Sequence, residues 1–514
     1  MTRSAGRSAA LVAAGILVSR LVGFVRERVF AFYFGNSAAA DAVRASLKIP
    51  NLIRNLLGEG TLSASFIPVY ARLLESDDPR AARALAGAVA SILLVASAAA
   101  ALLGIALAPA VTAVVAPGFD AQTRRLTVTL VRIIFPGSGL LVLAAWCLGI
   151  LNTHRRFFLP YAAPALWSIA QIAVLIAAGA RLAGGDLAVW LAWGVLAGSL
   201  LQLVVQVPQA LRLSGVSRLT SSWRVRGVGD VLTAWTPVVI GAGVAQISSL
   251  VDTQLASLLP AGAVASLGYA QLLSNLPIAL FGVSVAASAL PELSREAAGA
   301  DVHEALRARL ADGFRRIVYF VLPCAIGFAV IGRPLVRLLF ETGRFGGDDT
   351  TLVTGVLAAY SVGLVGWATV KLFSSGFYAL QDTRTPVVTA ASSVVLSVVL
   401  SYILMQRLGP AGIGLGAGIA ALYNTTAQLT QLQRRIGRVV RAPEWRRTAV
   451  VAGASVAGAA VGYSAAALAG PAGIVATAVA AWSAFAAVYL ALTLAFGHPD
   501  ALGVLRGIAR HRGP

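Results

Sequence analysis

Long apolar segments, separated by short charged or Pro/Gly-containing breaks, follow one another along nearly all of this 514-residue chain. A membrane-crossing helix needs about 20 apolar residues, so each segment is long enough to span a bilayer. Only 12% of the residues are charged and the mean hydropathy is +0.80, values that exclude a soluble globular enzyme. We therefore predict an all-α polytopic membrane protein with about fourteen transmembrane helices, at 9–33, 41–72, 83–108, 126–152, 160–180, 187–211, 229–259, 264–294, 314–332, 350–380, 386–406, 411–433, 448–469 and 472–496.

The basic residues predict the orientation of the chain in the membrane. With the N-terminus in the cytoplasm, 26 arginines fall in cytoplasmic loops and tails, and only 7 fall in outer loops. Because positively charged loops stay in the cytoplasm, both termini are predicted to be cytoplasmic. The net charge of +20 does not indicate nucleic-acid binding, since the basic residues lie between apolar segments rather than on a folded soluble domain.

The chain contains an internal repeat. Pro109 is followed nine residues later by Gly118, and the same pair returns 225 residues further on as Pro334 and Gly343. Because six helices separate the copies, an even number, the repeats share one orientation and predict two parallel six-helix lobes. The predicted divisions are an N-terminal lobe at 1–215, a second lobe at 216–440, two further helices at 441–497 and a cytoplasmic tail at 498–514.

Charged residues within the spans are concentrated in the first two segments. A charge inside a membrane span costs at least ~2.5–3.5 kcal/mol, so each one needs a function or a partner. Arginines outnumber carboxylates there, and their forked donors suit phosphate oxygens, which predicts a cationic chamber for an anionic ligand. Gly23 permits a bend that would bring Arg20 and Arg26 to one cavity. The charged set is Arg20, Arg26, Glu27, Arg28, Asp41, Arg44, Lys48, Arg54 and Glu59.

The alternative for these arginines is internal pairing with carboxylates that ties helices together. That alternative is favoured for Arg28, Arg44 and Lys48, which lie nearer a membrane face. Two isolated carboxylates, Asp252 and Asp382, are candidates for a coupling-ion site, and ordinary capping of helix ends is the competing explanation.

No metal site or cofactor is predicted. The histidines are scattered without the spacing of metal ligands, and two cysteines lie in apolar segments. Four alternating glycines between Gly412 and Gly418 lack the context of a phosphate loop and predict close helix packing instead. The arginine clusters at 434–447 and 506–512 are interpreted as topology signals and contacts with anionic lipids.

Ordered motifs across most of residues 10–440 resemble the MurJ/MviN family of lipid II flippases. They read SRLVGFVRE at 19–27, FG at 34–35, DA at 41–42, KIPNLIR at 48–54, GEG at 58–60 and FIP at 66–68. Further matches are APGF at 116–119, LNT at 151–153, AYSVGL at 359–364, VK at 370–371, GFY at 376–378 and QDTRTP at 381–386.

This resemblance implies a multidrug/oligosaccharidyl-lipid/polysaccharide exporter fold in the bacterial cytoplasmic membrane. It implies that the chain carries lipid II, the undecaprenyl-pyrophosphate-linked peptidoglycan precursor, to the outer leaflet by alternating access, without catalysing a reaction. The implied pyrophosphate ligands are Arg20, Arg26 and Arg54, with functional roles for Asp41, Glu59 and Lys371, and 441–497 is implied to hold the lipid tail. Membrane lipids and cell-wall synthesis proteins are the other implied partners.

One stretch departs from the family pattern. Members commonly carry an arginine and an acidic residue in helix eight, where this chain has Leu272 and Asn275. A same-fold exporter of another lipid-linked saccharide, of teichoic or capsular type, or a non-transporting cell-wall scaffold therefore stays open as an alternative. The energy source is also open between the membrane potential and exchange of a monovalent cation.

Overall fold

The computed structural model describes residues 2–58, 60–76, 78–216, 225–283 and 302–503. Across these ranges the chain is helical, apart from short connections and one isolated β-bridge between Thr342 and Phe345. The contacts divide it into two compact units, which are described separately. The predicted all-α class is confirmed.

Unit 1 contains residues up to Ala265 together with Thr342–Phe345. Its centre is an apolar core in which the indole of Trp146 donates to the carbonyl of Ala86 at 3.1 Å. Its helices are α1 Thr2–Phe34, α2 Ala38–Ser46, α3 Lys48–Leu57, α4 Thr61–Glu75, α5 Pro79–Ala106, α6 Ala108–Val115, α7 Ala121–Thr153, α8 Phe158–Ala162, α9 Pro164–Gly179, α10 Gly184–Ser214 and α11 Val228–Ser257.

Unit 2 contains Ser266–Glu341 and the residues from Gly346 onward. Helix α12, Ala263–Pro277, begins at the end of unit 1 and is followed by a π-helical segment, Ile278–Val283. The remaining helices are α13 Val302–Phe340, α14 Gly347–Ser361, α15 Leu364–Ala379, α16 Arg384–Leu408, α17 Pro410–Ile436, α18 Ala442–Ala469 and α19 Ile474–Ala495, with a 3-10 turn at Gly470–Ala472.

Among the described residues, ten helical stretches are long and apolar enough to cross a membrane. Helices α1, α11 and α17 and the segment α2–α4 lie at predicted spans but outside this set of ten. Helix α1 carries several charges, and the second predicted span is broken into three short helices. The count of fourteen stays a prediction.

Local chemistry explains why the second predicted span is broken. Helix α2 ends at Ser46, four residues before Pro50. In a continuous helix the ring of Pro50 would clash with the carbonyl of Ser46, and Pro50 has no amide hydrogen to donate to that carbonyl. Between α3 and α4, Gly60 has a φ of +78°, a left-handed value that favours glycine. The polar segment therefore turns twice where the sequence pattern predicted one continuous helix.

The two units do not divide at the predicted position 215. Helix α11 packs against α3, α4 and α6, and this packing extends unit 1 to Ala265. The predicted lobe boundary was based on the sequence repeat, whereas the two units are defined by which residues pack together. The repeat-based divisions therefore stay a prediction.

Backbone geometry agrees with the internal repeat. Arg155 and Gln381 are the non-glycine residues with positive φ in the described chain, at 57° and 59°. They lie 226 positions apart, and each follows a long helix whose end is closed in the same way. The amide of Arg156 donates to Leu151 at 2.8 Å, and that of Asp382 donates to Phe377 at 2.9 Å. Two distant segments thus adopt one local structure.

The glycine stripe of α17 allows close packing, as predicted. A Cβ atom on Gly416 would lie 2.5 Å from the amide nitrogen of Ser401 in α16. The hydroxyl of Ser393 donates to the carbonyl of Ala420 at 2.8 Å, which bonds the same two helices. Small residues here allow two backbones to approach and exchange hydrogen bonds, as is typical of membrane helix pairs.

Candidate functional site

The first candidate site is a cavity of about 470 Å³ in unit 1. Helix α1 contributes Arg20 to its wall, α3 contributes Arg54, and α9 contributes Trp167 and Ser168. Leu148, from α7, adds an apolar side. Two predicted ligand-binding arginines from different helices therefore line one cavity.

A second cavity, of about 260 Å³, adjoins the first through shared lining residues. Arg54 and Trp167 line both cavities, while Arg26, Glu27 and Arg44 line the second alone. The two cavities together form what we call the arginine cavities. They bring Arg20, Arg26 and Arg54 to one region, as predicted, although Arg20 and Arg26 occupy adjacent cavities.

Helix α1 runs from Thr2 to Phe34 without a break at Gly23. Arg20 and Arg26 therefore lie at different levels of a continuous helix. Arg54, which lines both cavities, connects the two levels.

Glu27 neutralises part of the positive charge. It is 4% exposed, and it accepts hydrogen bonds from Arg26 at 2.5 Å and from Arg44 of helix α2. The helix-tying pairing predicted for Arg44 is confirmed, and Arg26 shares in it. One carboxylate between two arginines leaves an excess of positive charge.

Arg20 and Arg54 add to that excess. In the part of the chain that the structure describes, neither has a carboxylate partner, and the Nε atom of Arg54 is buried without a hydrogen bond. The described lining residues of the two cavities include four arginines and one carboxylate, a net charge of +3. A buried donor without a partner is costly, so the geometry favours an anionic ligand.

Aromatic rings hold two of the arginines in place. The guanidinium carbon of Arg26 lies 4.8 Å from the ring centre of Trp167, and that of Arg44 lies 4.8 Å from the ring of Phe30. Cation–π contacts of this kind fix a guanidinium without neutralising it. Trp167 was missed in the sequence analysis, and its position at the start of an apolar helix gave no signal of this contact.

Asp41 has a structural position outside the arginine cavities. It is 3% exposed, and its two carboxylate oxygens accept from the amides of Gly262 at 2.6 Å and Ala265 at 2.7 Å. These amides lie at the N-terminus of α12, where backbone donors lack helical partners. Asp41 thus caps a helix far away in sequence, and its predicted binding role has no support from this geometry.

The other predicted binding residues are not brought together with the arginines. Lys371 is exposed on α15 of unit 2. Glu59 lies outside the described residues. Leu272 is partly buried and Asn275 exposed on α12, so the structure offers no charged substitute at those two positions.

The two coupling-ion candidates differ in their surroundings. Asp252 is 8% exposed and interacts electrostatically with Lys48, whose ammonium donates to Ser249 at 2.9 Å. Asp382 caps α16, accepting from the amide of Thr385 at 3.0 Å, and pairs with Arg435 at 2.7 Å. A hydrogen bond from the Thr385 hydroxyl helps hold the pKa of Asp382 below its usual value. The predicted alternative of helix capping is confirmed for Asp382.

Comparison with solved structures identifies the fold. A structure titled "Lipid II flippase MurJ, inward closed conformation" aligns with a TM-score of 0.79 at 22% identity, covering 95% of this chain and 98% of that one. An inward-facing MATE multidrug transporter of the MOP superfamily aligns with a TM-score of 0.68 at 16% identity, covering 84% of this chain and 98% of that one. The chain therefore shares its fold with both of these solved membrane proteins.

Sequence relatives identify the family. A family model described as lipid II flippase MurJ matches residues 30–495. The lipid II flippase MurJ of Burkholderia cenocepacia is 36% identical over 438 residues, 84% of each chain, and a probable lipid II flippase MurJ of Rhizobium meliloti is 36% identical over 431 residues, 81% of this chain and 78% of that one. The chain belongs to the MurJ family. It is accordingly a multi-pass transporter of the inner membrane rather than an enzyme.

Proposed function

We propose that this chain carries lipid II from the cytoplasmic to the outer leaflet of the cytoplasmic membrane for peptidoglycan synthesis. The observation that supports this proposal is the pair of arginine cavities, in which Arg20 and Arg54 have no carboxylate partner among the described residues. A pyrophosphate group offers several oxygens and more than one negative charge. It therefore suits an excess of forked, fixed cations.

The arginines have distinct proposed roles. Arg54, shared by both cavities, binds the pyrophosphate centrally, and Arg20 binds it from the larger cavity. Arg26, held by Glu27 and Trp167, provides a fixed positive charge rather than a mobile one. Translocation breaks no bond, so the protein needs only to bind the head group and alternate its access between the two membrane sides.

The proposed energy source is the membrane potential, which acts on a charged group with ~2.3 kcal/mol per charge per 100 mV. Exchange of a monovalent cation is less favoured, because Asp382 already accepts several hydrogen bonds and an ion pair. Asp252 remains the better candidate for such an ion, since it is buried and, among the described residues, interacts with one cation, Lys48.

The membrane placement is part of the same proposal. Both termini are proposed to be cytoplasmic, from the excess of arginines in the loops on that side. Helices α18 and α19 are proposed to contact the lipid tail. Their apolar spans are only 33% and 17% buried, which leaves much apolar surface available to a hydrocarbon chain.

The test is complementation after depletion of the protein in its host, with outer-leaflet lipid II measured by its accessibility to an externally added lipid II-degrading toxin. The variant with Arg20→Ala, Arg26→Ala and Arg54→Ala is expected to reduce accessible lipid II at least about tenfold, since several charge-assisted contacts are lost together. Total lipid II is expected to rise.

The matched control is Arg132→Ala. This arginine lies in α7, is exposed and lines neither of the arginine cavities. It should restore accessibility at normal expression. If the triple variant also restores growth and accessibility, the proposal is wrong, and a scaffold role would explain the protein better.

A further inference from the structure

A separate cavity of about 560 Å³ lies in unit 2, where α18 begins and α19 has just ended. Arg446 and Arg447 of α18 form one side, and Phe496 and His498, which follow α19, form the other. The first residues of α18, Ala442 and Pro443, complete the wall. Basic side chains thus meet the N-terminus of a helix, whose backbone amides favour an anion.

His498 has hydrogen-bonding capacity that the protein does not use. It is 3% exposed, and neither ring nitrogen has a hydrogen-bond partner in the described chain. Its ring stacks on Tyr319, with centroids 4.7 Å apart. Burial lowers the pKa of His498, so at pH 7 the ring is neutral and one nitrogen carries a hydrogen to donate.

The carboxylate nearest to His498 is already engaged. Asp500 lies 3.8 Å from Nδ1 of His498, beyond hydrogen-bond distance. It accepts from Arg315 at 3.0 Å and lies 3.9 Å from Arg316. Asp500 therefore does not satisfy the imidazole, and a buried polar group of this kind normally has a partner.

The two arginines of the cavity are also available. Arg446 is exposed and has no ion pair among the described residues. Arg447 has one long contact, 3.8 Å, with Glu444. Glu444 in turn accepts from the amide of Arg441 at 3.1 Å as a helix cap. The cavity therefore keeps net positive charge beside an unsatisfied buried donor.

Exposed aromatic residues beside this cavity favour a position at the level of lipid head groups. Phe496 is 69% exposed on the cavity wall, and Trp445, beside Arg446, is 55% exposed. The amphipathic ring of tryptophan is enriched where the bilayer meets water, and the apolar ring of Phe496 suits contact with acyl chains. The orientation proposed from the arginine distribution puts these helix ends on the cytoplasmic side, which faces anionic lipids.

We propose that Arg446, Arg447 and His498 bind the phosphate of an anionic phospholipid head group at the cytoplasmic ends of α18 and α19. The phosphate oxygens accept from the two guanidinium groups and from the imidazole, while the acyl chains lie against the exposed apolar surface beside Phe496. This site is distinct from the arginine cavities of unit 1 and does not depend on lipid II transport.

Binding of soluble short-chain phosphatidylglycerol to the purified full-length protein in detergent tests this proposal, with short-chain phosphatidylcholine and inorganic phosphate as parallel titrants. Wild type is expected to bind phosphatidylglycerol more tightly than the other two. Each basic residue near a lipid surface contributes about fivefold, so Arg446→Gln with Arg447→Gln is expected to bind roughly 25-fold more weakly. His498→Phe keeps an aromatic ring on Tyr319, removes the donor and is expected to bind about fivefold more weakly.

A double variant with Arg434→Gln and Arg438→Gln provides the matched control. It removes the same charge from exposed positions on the same predicted surface, outside the cavity wall. It should bind like wild type. If the control binds phosphatidylglycerol as weakly as the Arg446/Arg447 variant, general surface charge rather than this cavity attracts the lipid, and the proposal is wrong. Unchanged binding in the Arg446/Arg447 variant would also overturn the proposal. Binding of inorganic phosphate as tight as that of phosphatidylglycerol would show that the lipid is not the ligand.

Discussion

Two regions of unit 1 hold buried charges with opposite local balance. At the start of α12, each carboxylate oxygen of Asp41 accepts from a backbone amide. In the arginine cavities, Glu27 serves two arginines, while Arg20 and Arg54 have no carboxylate among the described residues. A buried charge whose hydrogen-bonding partners lie within the protein, such as Asp41, stabilises the fold. Buried arginines that outnumber the carboxylates around them identify the candidate binding site. The number of partners that a buried charged side chain has within the protein, rather than the charge itself, therefore distinguishes a ligand-binding residue from a structural one.

Replacing Glu27 should give the largest effect on stability. Glu27→Gln removes the carboxylate that both Arg26 and Arg44 contact, and it leaves two partly buried arginines facing each other. Breaking a buried pair of this kind costs about 3–5 kcal/mol, so the variant should show a clearly lower melting temperature in detergent.

Glu75→Gln is the control for that variant, because Glu75 is exposed at the end of α4. It should unfold like wild type. A second change, Arg44→Gln, in the Glu27→Gln background should recover part of the lost stability by removing one of the two cations that Glu27 had contacted. A Glu27→Gln protein as stable as wild type would contradict the view that this carboxylate organises the site.

The sequence predicted the class of fold, because the length of each apolar segment can be counted directly. It also predicted the arginines that line the cavities, because inserting a charge into a membrane is costly. It did not predict the function of Asp41, since its partners at Gly262 and Ala265 are more than 200 residues away. Nor did it predict Trp167, because a cation–π contact depends on helix packing that no local pattern specifies. Pro50 and Gly60 are residue types that commonly interrupt helices, but the apolar content of the surrounding segment favoured one continuous span.

Asp41 tests the architectural side of the comparison. Asp41→Ala leaves two amides at the start of α12 without their acceptor, at a cost of about 3 kcal/mol for two buried donors. The thermal stability of the purified protein should fall. Asp41→Asn, which keeps one acceptor oxygen, should lose less.

Asp230→Asn is the matched control, since that side chain is 68% exposed on α11 with only a 4.0 Å contact to Arg72. It should leave the melting temperature unchanged. If Asp41→Ala proves stable yet abolishes transport, the residue acts in transport and the distinction between the two regions fails at this position.

The smallest expected effect comes from Trp167, whose ring fixes Arg26 without changing the charge of the cavities. A cation–π contact contributes about 0.5–1 kcal/mol, so Trp167→Leu should weaken lipid II binding roughly two- to fivefold. Trp167→Phe keeps a ring face and should lose less. Lipid II titration of the purified variants measures this order. Equal losses for the leucine and phenylalanine variants would mean that Trp167 acts by filling volume, and the excess charge of Arg20 and Arg54 would then account for the site without an aromatic contribution.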